Sequence, residues 1–493
     1  MDDFQRIAAE LYFGLHVIMD ILKIKICKNN LLIAFACLTG LLAFFFNLET
    51  VRIFPSWFDE AFFANISSNL AAGNGMTLDL IPGYWEGELN HYGPVYFYLQ
   101  ASLIDFFGLH QFIFRLPNLI SAYISIYLIS SALKQNGLTR NYQVLFLLAA
   151  LVDVSFNRNL VGGRMDMLAV MFVSIALFLS SNQVAQLGRA KLLGWLTIGL
   201  LSAAAYLTTP RALFLLPVVF IVGTCSLFKH SENGMQRLSF FLLSAVAFTI
   251  PVFIWILYAG GFNEYSQAFL NKQVSGHVAP SFFRSFYDNV AIGLMLLLVV
   301  LNSKKIIKNP LLIGLLSTYV AFSLFVKEVG PYAAMIMPFV LAIIFLLIYD
   351  SNYNVLARVA MISILIFPGT LLLSLRGMDL YMNADCRNNE EISITIDRAI
   401  EANEKVVAPF KYYFLLRDKT KNIVTLQYSK VSQEEMIEKT ALAIQDSRLE
   451  NLFMTNGFEK VGRFTCQPFL VPLLPATFYR RSVFSEVVYK KII

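Results

Sequence analysis

The chain has 493 residues, of which 57% are hydrophobic and 15% are charged. This is more apolar sequence than a soluble core of this size could bury, so the composition excludes an ordinary soluble protein and predicts a membrane protein. The formal net charge of +6 comes from short basic clusters between apolar runs, so a nucleic-acid partner is not expected.

Apolar windows long enough to cross a bilayer recur along the chain as far as about residue 375. The first of them follows Lys23, Lys25 and Lys28 and has no small-residue cleavage site, so we expect an uncleaved first span. About eleven spans are predicted from these windows. They lie at 31–48, 113–133, 143–157, 164–181, 191–208, 210–228, 238–259, 290–302, 310–326, 332–349 and 355–375.

The basic residues between the spans predict how the chain is oriented. With the N-terminus inside, they collect in the cytoplasmic loops, in agreement with the positive-inside rule. These residues are Lys134, Arg140, Arg189, Lys191, Lys229, Arg237, Lys304, Lys305 and Lys308. The outer side then carries 49–112, a turn near 157–163, the loop 260–289 and the segment from 376 onward.

The first outer loop, 49–112, is too long for a simple connection and is rich in aromatic, acidic and glycine residues. In it, Asp59 and Glu60 precede a helix-like run, 61–72, that ends at Gly73. Carboxylates near a helix start often serve only as caps or dipole partners. This pair, however, lies close to the end of the first span, where a lipid-borne substrate presents its headgroup. We therefore predict that Asp59 can act as a general base that removes a proton from an acceptor.

A second outer cluster, 158–166, places Arg164 and Asp166 at the mouth of the fourth span. An ionisable pair in this position is costly unless it is buried against partners. Two interpretations stay open: an ordinary structural ion pair, or a pair that supports Asp59 or binds substrate.

Further polar residues of the outer segments are suited to a phosphate headgroup. Arginine, lysine and tyrosine donate hydrogen bonds, and arginine can do so in bidentate fashion, so we consider Arg284, Lys327 and Tyr332. An interfacial aromatic belt explains Tyr332 equally well. His91 and His277 are considered as ligands of a divalent metal, although they come from distant loops.

The segment 376–493 is predicted to be a small soluble α/β domain that follows a membrane domain, 1–375. Its helix-like stretch is 392–403, and its strand-like stretches are 405–409, 422–427 and 483–489. Cys386 and Cys466 are either a disulfide in an oxidising compartment or two unpaired thiols. The predicted fold class is thus an α-helical polytopic membrane protein with a small C-terminal α/β domain.

Four segments, in this order, resemble a known group: WFDEAFFANISSNLAAGNG, NHYGPVYFYL, FRLPNLISA and GRMDMLAVMF. The group is the GT-C membrane glycosyltransferases related to protein O-mannosyltransferases and bacterial aminoarabinose transferases. A Tyr-to-Pro pattern at Tyr332 and Pro338 adds to the resemblance. The chain lacks the long insertion of the eukaryotic mannosyltransferases, so the bacterial branch is the nearer match.

The resemblance implies inverting transfer of a sugar from a polyprenyl-phosphate donor. It implies a catalytic base in the first outer loop, which falls on Asp59, with Glu60 adjacent. It also implies contacts to the donor phosphate, which by position fall on Arg284 and Tyr332.

Two positions depart from the family pattern. Tyr92 stands where the aminoarabinose transferases have a lysine, so recognition of the donor headgroup is expected to differ. In those enzymes an acidic residue and a histidine bind a metal ion near the donor pocket. His91 and His277 occupy roughly corresponding places, so His91 stands where those enzymes have the acidic residue. No cofactor is required for the implied chemistry, and a divalent metal at these histidines stays open.

Taken together, we predict a transferase on the outer face of a bacterial inner membrane, acting on a lipid, glycan or protein acceptor. One alternative is a transporter or lipid flippase, which predicts ionisable residues near mid-span and broken helices in paired halves. The other is a non-catalytic envelope assembly protein with a sensor-like outer domain.

Overall fold

The computed structural model describes the chain in segments, which are mainly helical with a small sheet near the C-terminal end. The described segments are 28–53, 58–85, 87–160, 162–182, 189–230, 234–273, 289–326, 329–384, 390–401, 404–417, 419–427, 429–438, 440–446, 449–465 and 485–492.

Helices account for most of the described chain up to residue 382. A 3-10 helix, Pro210–Leu215, joins the eighth and ninth α-helices. The α-helices are α1 (Lys28–Ile53), α2 (Phe58–Ala71), α3 (Pro94–Phe107), α4 (Gln111–Gln135), α5 (Arg140–Val152), α6 (Val154–Leu160), α7 (Asp166–Asn182), α8 (Arg189–Thr208), α9 (Pro217–His230), α10 (Gly234–Tyr258), α11 (Phe262–Gln273), α12 (Val290–Leu301), α13 (Ser303–Ile306), α14 (Pro310–Phe325), α15 (Val329–Asp350) and α16 (Val355–Met382).

Each predicted span overlaps one of these helices. Helix is the expected outcome, because a single segment in lipid can satisfy its backbone polar groups only internally. Among the described residues, four helices are long and apolar enough to cross a membrane, and six shorter apolar helices accompany them. The four are Gln111–Gln135, Gly234–Tyr258, Tyr332–Asp350 and Val355–Met382. The chain is a multi-pass membrane protein, and the number of eleven spans stays a prediction.

The helices differ in how they are buried. On α15, the side chains from Ala334 to Ile348 are buried all round, so this helix lies at the centre of the packed helices. In contrast, α10 and α16 expose many large apolar side chains, among them Phe253 and Phe367. That exposure is expected of helices that face lipid.

The first outer loop contains two helices. The predicted run 61–72 is confirmed as part of α2, and Gly73 follows it with a φ of +80°, the left-handed conformation that ends many helices. The second helix, α3, is absent from the sequence-based prediction because it is too short for a span. It exposes Phe106 and Phe107, as an amphipathic helix at a membrane surface does.

Beyond the membrane helices, the described residues form a five-stranded sheet with the order β2-β1-β3-β5-β4. Strands β1, β2 and β3 are parallel, whereas β5 is antiparallel to both β3 and β4. The strands are β1 (Val406–Val407), β2 (Ile423–Val424), β3 (Leu442–Asp446), β4 (Phe458–Thr465) and β5 (Ser485–Lys491). The helices are α17 (Glu390–Ala399), α18 (Tyr413–Arg417), α19 (Gln433–Glu438) and α20 (Glu450–Thr455).

The predicted α/β character of this segment agrees with its elements, although β3 and β4 were not predicted. Helix α16 runs to Met382, so the predicted domain boundary after residue 375 falls within it. Cys386 and Cys466 lie outside the described residues, and both interpretations of them stay open.

The C-terminal segment packs against the first outer loop. The backbone N–H of Thr425, just after the edge strand β2, donates to the carbonyl of Leu80 in the loop at 3.0 Å. The ring of Phe410 meets that of Phe58 on α2, with 4.7 Å between centroids. The helix that carries Asp59 is therefore held between the membrane helices and the C-terminal segment.

Candidate active site

Asp59 lies in the first turn of α2 and reaches the loop that precedes α7. Its Oδ2 accepts a hydrogen bond from Nη1 of Arg164, whose Nε donates to Oδ2 of Asp166 at 2.6 Å. The side chains of Arg164 and Asp166 are 3% and 5% exposed, whereas that of Asp59 is 26% exposed. Asp59 is thus the carboxylate of this cluster that a substrate can reach.

The loop that carries Arg164 is fixed by Asn118 of α4. The Nδ2 of Asn118 donates to the carbonyl of Gly162 at 2.8 Å, and its Oδ1 accepts from the backbone N–H of Met167 at 3.2 Å. One amide side chain therefore binds the loop on both sides of Arg164. This local anchoring holds the guanidinium in place, as a site that must keep its geometry requires.

Glu60 faces a different partner. Its carboxylate is 2% exposed and forms a bidentate pair with Arg115 of α4, with Nη2 to Oε2 at 2.7 Å. Oε1 of Glu60 also accepts from the backbone N–H of Gly163 at 3.0 Å, and Nη1 of Arg115 donates to the carbonyl of Val51 at 2.8 Å. This pair connects α1, α2, α4 and the loop before α7, which is a structural arrangement.

Tyr332 lies beside Arg164, with its ring facing two guanidinium groups. The Cζ of Arg211 is 3.8 Å from the ring centroid, and the Cζ of Arg164 is 4.9 Å from it. Arg211 comes from the 3-10 helix between α8 and α9, and it is 7% exposed. Both distances are within the range of cation–π contacts.

The charge states of Arg164 and Tyr92 follow from their surroundings. Burial alone lowers the pKa of Arg164, but Asp166 and Asp59 outweigh it and raise the pKa well above its usual value, so Arg164 stays charged. Burial raises the pKa of Tyr92, and Arg211 opposes the shift while Tyr332 and Asp59 add to it. Tyr92 therefore lies within the electrostatic reach of this cluster and keeps its hydroxyl proton.

His91 packs beside Tyr92 and lines a cavity to which no residue of the cluster contributes. It is 5% exposed, and its ring is 4.9 Å from that of Trp85 and 4.4 Å from that of Tyr92. It lines a cavity of about 650 Å³ together with Trp85, Glu88 and Glu264. Across the described segments, no three His, Cys, Asp or Glu side chains are grouped as metal ligands. His277 lies outside the described residues, so those described here do not complete a metal site.

The predicted site residues thus separate into groups. Asp59, Arg164, Asp166 and Tyr332 meet in one cluster, with Tyr92 at its edge. Arg284 and Lys327 lie outside the described residues. Two residues were missed, Arg115 and Arg211. The signal available for both was an arginine inside an otherwise apolar stretch, FRLPNLISA and TTPRALF, which calls for a specific partner.

No protein-family model matches the sequence, and a search of the curated proteins finds no match. Solved structures do match. The crystal structure of ArnT from Cupriavidus metallidurans in the apo state gives a TM-score of 0.61 and 13% identity, covering 93% of this chain and 98% of ArnT. The structure of the same protein bound to undecaprenyl phosphate gives a TM-score of 0.59 and 11% identity, covering 94% and 99%. The chain has the ArnT-like GT-C fold that the sequence resemblance implied.

Proposed function

We propose that this protein is an inverting glycosyltransferase that moves a sugar from a polyprenyl-phosphate donor to an acceptor, with Asp59 as the general base. The observation that carries the proposal is the position of Asp59, which is held by Arg164 and is still partly exposed. The fold supports it, since an ArnT structure similar over 94% of this chain is bound to undecaprenyl phosphate.

The chemistry requires one bond to form as another breaks. The acceptor oxygen or nitrogen attacks the anomeric carbon from the face opposite the phosphate, and its proton passes to the Asp59 carboxylate. The bond between the anomeric carbon and the phosphate oxygen breaks, and its electron pair stays on that oxygen. The protein must position both substrates, accept the proton and stabilise the leaving phosphate.

Each member of the cluster has a distinct task in this proposal. Arg164 orients Asp59 through one side of the carboxylate, which leaves the other side for the acceptor. Asp166 holds Arg164 from behind and is a positioning residue. Glu60 is a structural neighbour, because its carboxylate is engaged with Arg115 and Gly163. Tyr332 is proposed to contact the donor phosphate.

Three more predicted residues belong to the proposal. Arg284 and Lys327 are proposed as further phosphate contacts. Tyr92, which keeps its hydroxyl proton, is proposed to donate a hydrogen bond to the donor headgroup where the related enzymes have a lysine.

We propose that the acceptor approaches from the cavity that His91 lines. Glu88 and Glu264 line it with aromatic rings, and neither lysine nor arginine occurs among its described lining residues. Such a surface repels an anionic phosphate and suits a neutral or cationic acceptor. The acceptor itself, lipid, glycan or protein, is left open.

We further propose that the site faces the outside of a bacterial inner membrane, in line with the basic residues of the opposite loops. The transfer as written needs no cofactor. A divalent metal at His91 and His277 would require ligands beyond those described, so no step depends on it.

The proposal is tested by sugar transfer from a panel of radiolabelled polyprenyl-phosphate sugars in reconstituted membranes. We compare the parent chain with Asp59→Asn, and with Asp105→Asn as a matched control, an exposed carboxylate on α3 of the same loop. Transfer lost in Asp59→Asn and kept in Asp105→Asn supports the proposal. Undiminished transfer in Asp59→Asn would show that Asp59 takes no part in the chemistry. If the parent chain transfers sugar from none of the donors, the transporter and assembly-protein hypotheses are favoured instead.

A further inference from the structure

Arg211 is a buried guanidinium whose surroundings differ from those of the other two arginines near the site. Its Nε has no hydrogen-bond partner, and no carboxylate of the described residues pairs with it. Its close contact is the ring of Tyr332, on which it stacks at 3.8 Å. Arg211 is nevertheless buried, with 7% of its surface exposed.

The two carboxylates of the cluster form no ion pair with Arg211. Asp59 and Asp166 both bond to Arg164, so Arg164 has two carboxylate partners, while Arg211 forms no ion pair with the described residues. Tyr332 contacts both guanidinium groups through its ring. The cluster therefore has a negative end at Asp59 and a positive end at Arg211.

A buried positive charge without a counterion is unfavourable, and proteins keep such groups where a ligand supplies the missing charge. Arginine suits phosphate in particular, since its planar fork of N–H donors matches two phosphate oxygens. An uncharged ligand would leave the guanidinium uncompensated. An anion that enters from the open side of the cluster would complete it.

We propose that Arg211 binds the phosphate group of the lipid donor and stabilises the charge that develops on it. The identity of the anion as a donor phosphate rests on the proposed function. As the bond to the anomeric carbon breaks, the phosphodiester with one negative charge becomes a phosphate monoester with up to two, and Arg211 faces the added charge. The acceptor proton goes at the same time to Asp59. The negative Asp59 thus takes up the positive charge of the proton, and the positive Arg211 stabilises the negative charge on the phosphate.

The proposal predicts an unusual effect on stability. Arg211→Met removes an uncompensated buried charge but keeps an apolar side chain against Tyr332, so the Tm of the unliganded protein stays the same or rises. If Arg211 instead served only as a structural stacking residue, its removal would lower the Tm. Functional groups that cost stability in the free protein are expected at binding sites.

The direct test is binding of undecaprenyl phosphate to the full chain in detergent, measured by native mass spectrometry. We expect Arg211→Met to weaken binding by about 10- to 100-fold, the value of a hydrogen-bonded charge, and Arg211→Lys to lose less. The matched control is Arg237→Met, since Arg237 also stacks on a ring, that of Phe228 at 5.3 Å, away from the cluster. Arg237→Met should bind undecaprenyl phosphate as tightly as the parent chain does.

Two ligand controls separate the phosphate from its lipid. Uncharged undecaprenol should bind equally to the parent chain and to Arg211→Met, because only the phosphate is recognised by the guanidinium. Inorganic phosphate should compete far more weakly than the lipid. If it binds as tightly as the lipid does, a free anion is the ligand and the lipid assignment is wrong.

The inference fails if Arg211→Met binds undecaprenyl phosphate as the parent chain does, or if its loss of binding comes with a lowered Tm. In the first case the proposed function would still hold, provided that transfer by the parent chain depends on Asp59. Conversely, if binding that depends on Arg211 persists while no donor supports transfer, the anion site stands and the proposed function fails.

Discussion

Asp59 and Glu60 are neighbours in the first turn of α2, and each pairs with an arginine from a later part of the chain. At the closed site, formed by Glu60 and Arg115, both side chains are 2% exposed, and the backbone of Val51 and Gly163 takes up further hydrogen bonds. At the open site, formed by Asp59, Arg164, Tyr332 and Arg211, the carboxylate is partly exposed.

The difference teaches how adjacent, chemically similar residues take on separate roles. The closed site uses its hydrogen-bonding capacity inside the protein, so it supports the structure and offers little to a ligand. The open site distributes its charges unevenly and leaves one face accessible, which is what a substrate needs. The Gly163 loop lies between them and touches both.

The largest effect is expected at the closed site. Glu60→Gln leaves the buried Arg115 charge without its counterion, which should cost about 3–5 kcal/mol of unfolding free energy. Asp59→Asn, at a partly exposed position, should change stability far less. Thermal unfolding of the two variants in detergent makes the comparison, and equal losses would contradict the division into a closed and an open site.

The next effect concerns the loop between the sites. A Cβ at Gly163 would lie 2.3 Å from the ring of Phe114 and 3.0 Å from Oε1 of Glu60. Gly163→Ala should therefore destabilise the protein by about 1–3 kcal/mol and displace Arg164, lowering transfer as well. Gly234→Ala, where a Cβ meets nothing within 4 Å, is the control and should leave Tm and transfer unchanged. A Gly163→Ala protein with the parent Tm would show that the loop is not tightly packed.

A smaller effect is expected from Arg164→Lys. Lysine keeps the charge but lacks the fork that bonds Asp59 and Asp166 together, so the orientation of Asp59 should relax. We expect kcat to fall about 10-fold with little change in donor KM, because positioning rather than binding is lost. Steady-state kinetics decides this, and a change confined to donor KM would place Arg164 in donor binding instead.

The smallest effect is expected in the cavity that His91, Glu88 and Glu264 line. Glu264→Gln removes one of its negative charges and should raise the acceptor KM by about 2- to 10-fold, the value of a hydrogen bond, while donor binding stays unchanged. Titration of acceptor at saturating donor measures it. An effect on the donor alone would assign the cavity to the donor.

Much of the membrane architecture could be predicted because long apolar windows have few alternatives to a helix. The end of α2 at Gly73 was readable from local residues, whereas its start was predicted at residue 61, three residues after Phe58, where the helix begins. The charged positions Asp59, Arg164 and Asp166 stood out against apolar surroundings. Tyr332 was selected as a phosphate contact, and the structure places it in the same cluster.

What the sequence could not reveal depends on contacts between distant parts of the chain. The partner of Glu60 is 55 residues away, so Arg115 looked like an isolated charge within a span. Arg211 reaches Tyr332 from another helix, and β3 finds its place only by pairing with β5. The short helix α3 was missed because surface helices lack the length by which spans are recognised.

The most direct test of the open site is the single-turnover transfer rate of Asp59→Asn at saturating donor, with undecaprenyl phosphate binding measured on the same sample. We predict that the rate falls by about 10²- to 10⁴-fold, as expected for loss of a general base, while Tm and binding stay near those of the parent chain. A rate within a few-fold of the parent, in a folded protein that still binds the lipid, would contradict the central claim that Asp59 carries the chemistry.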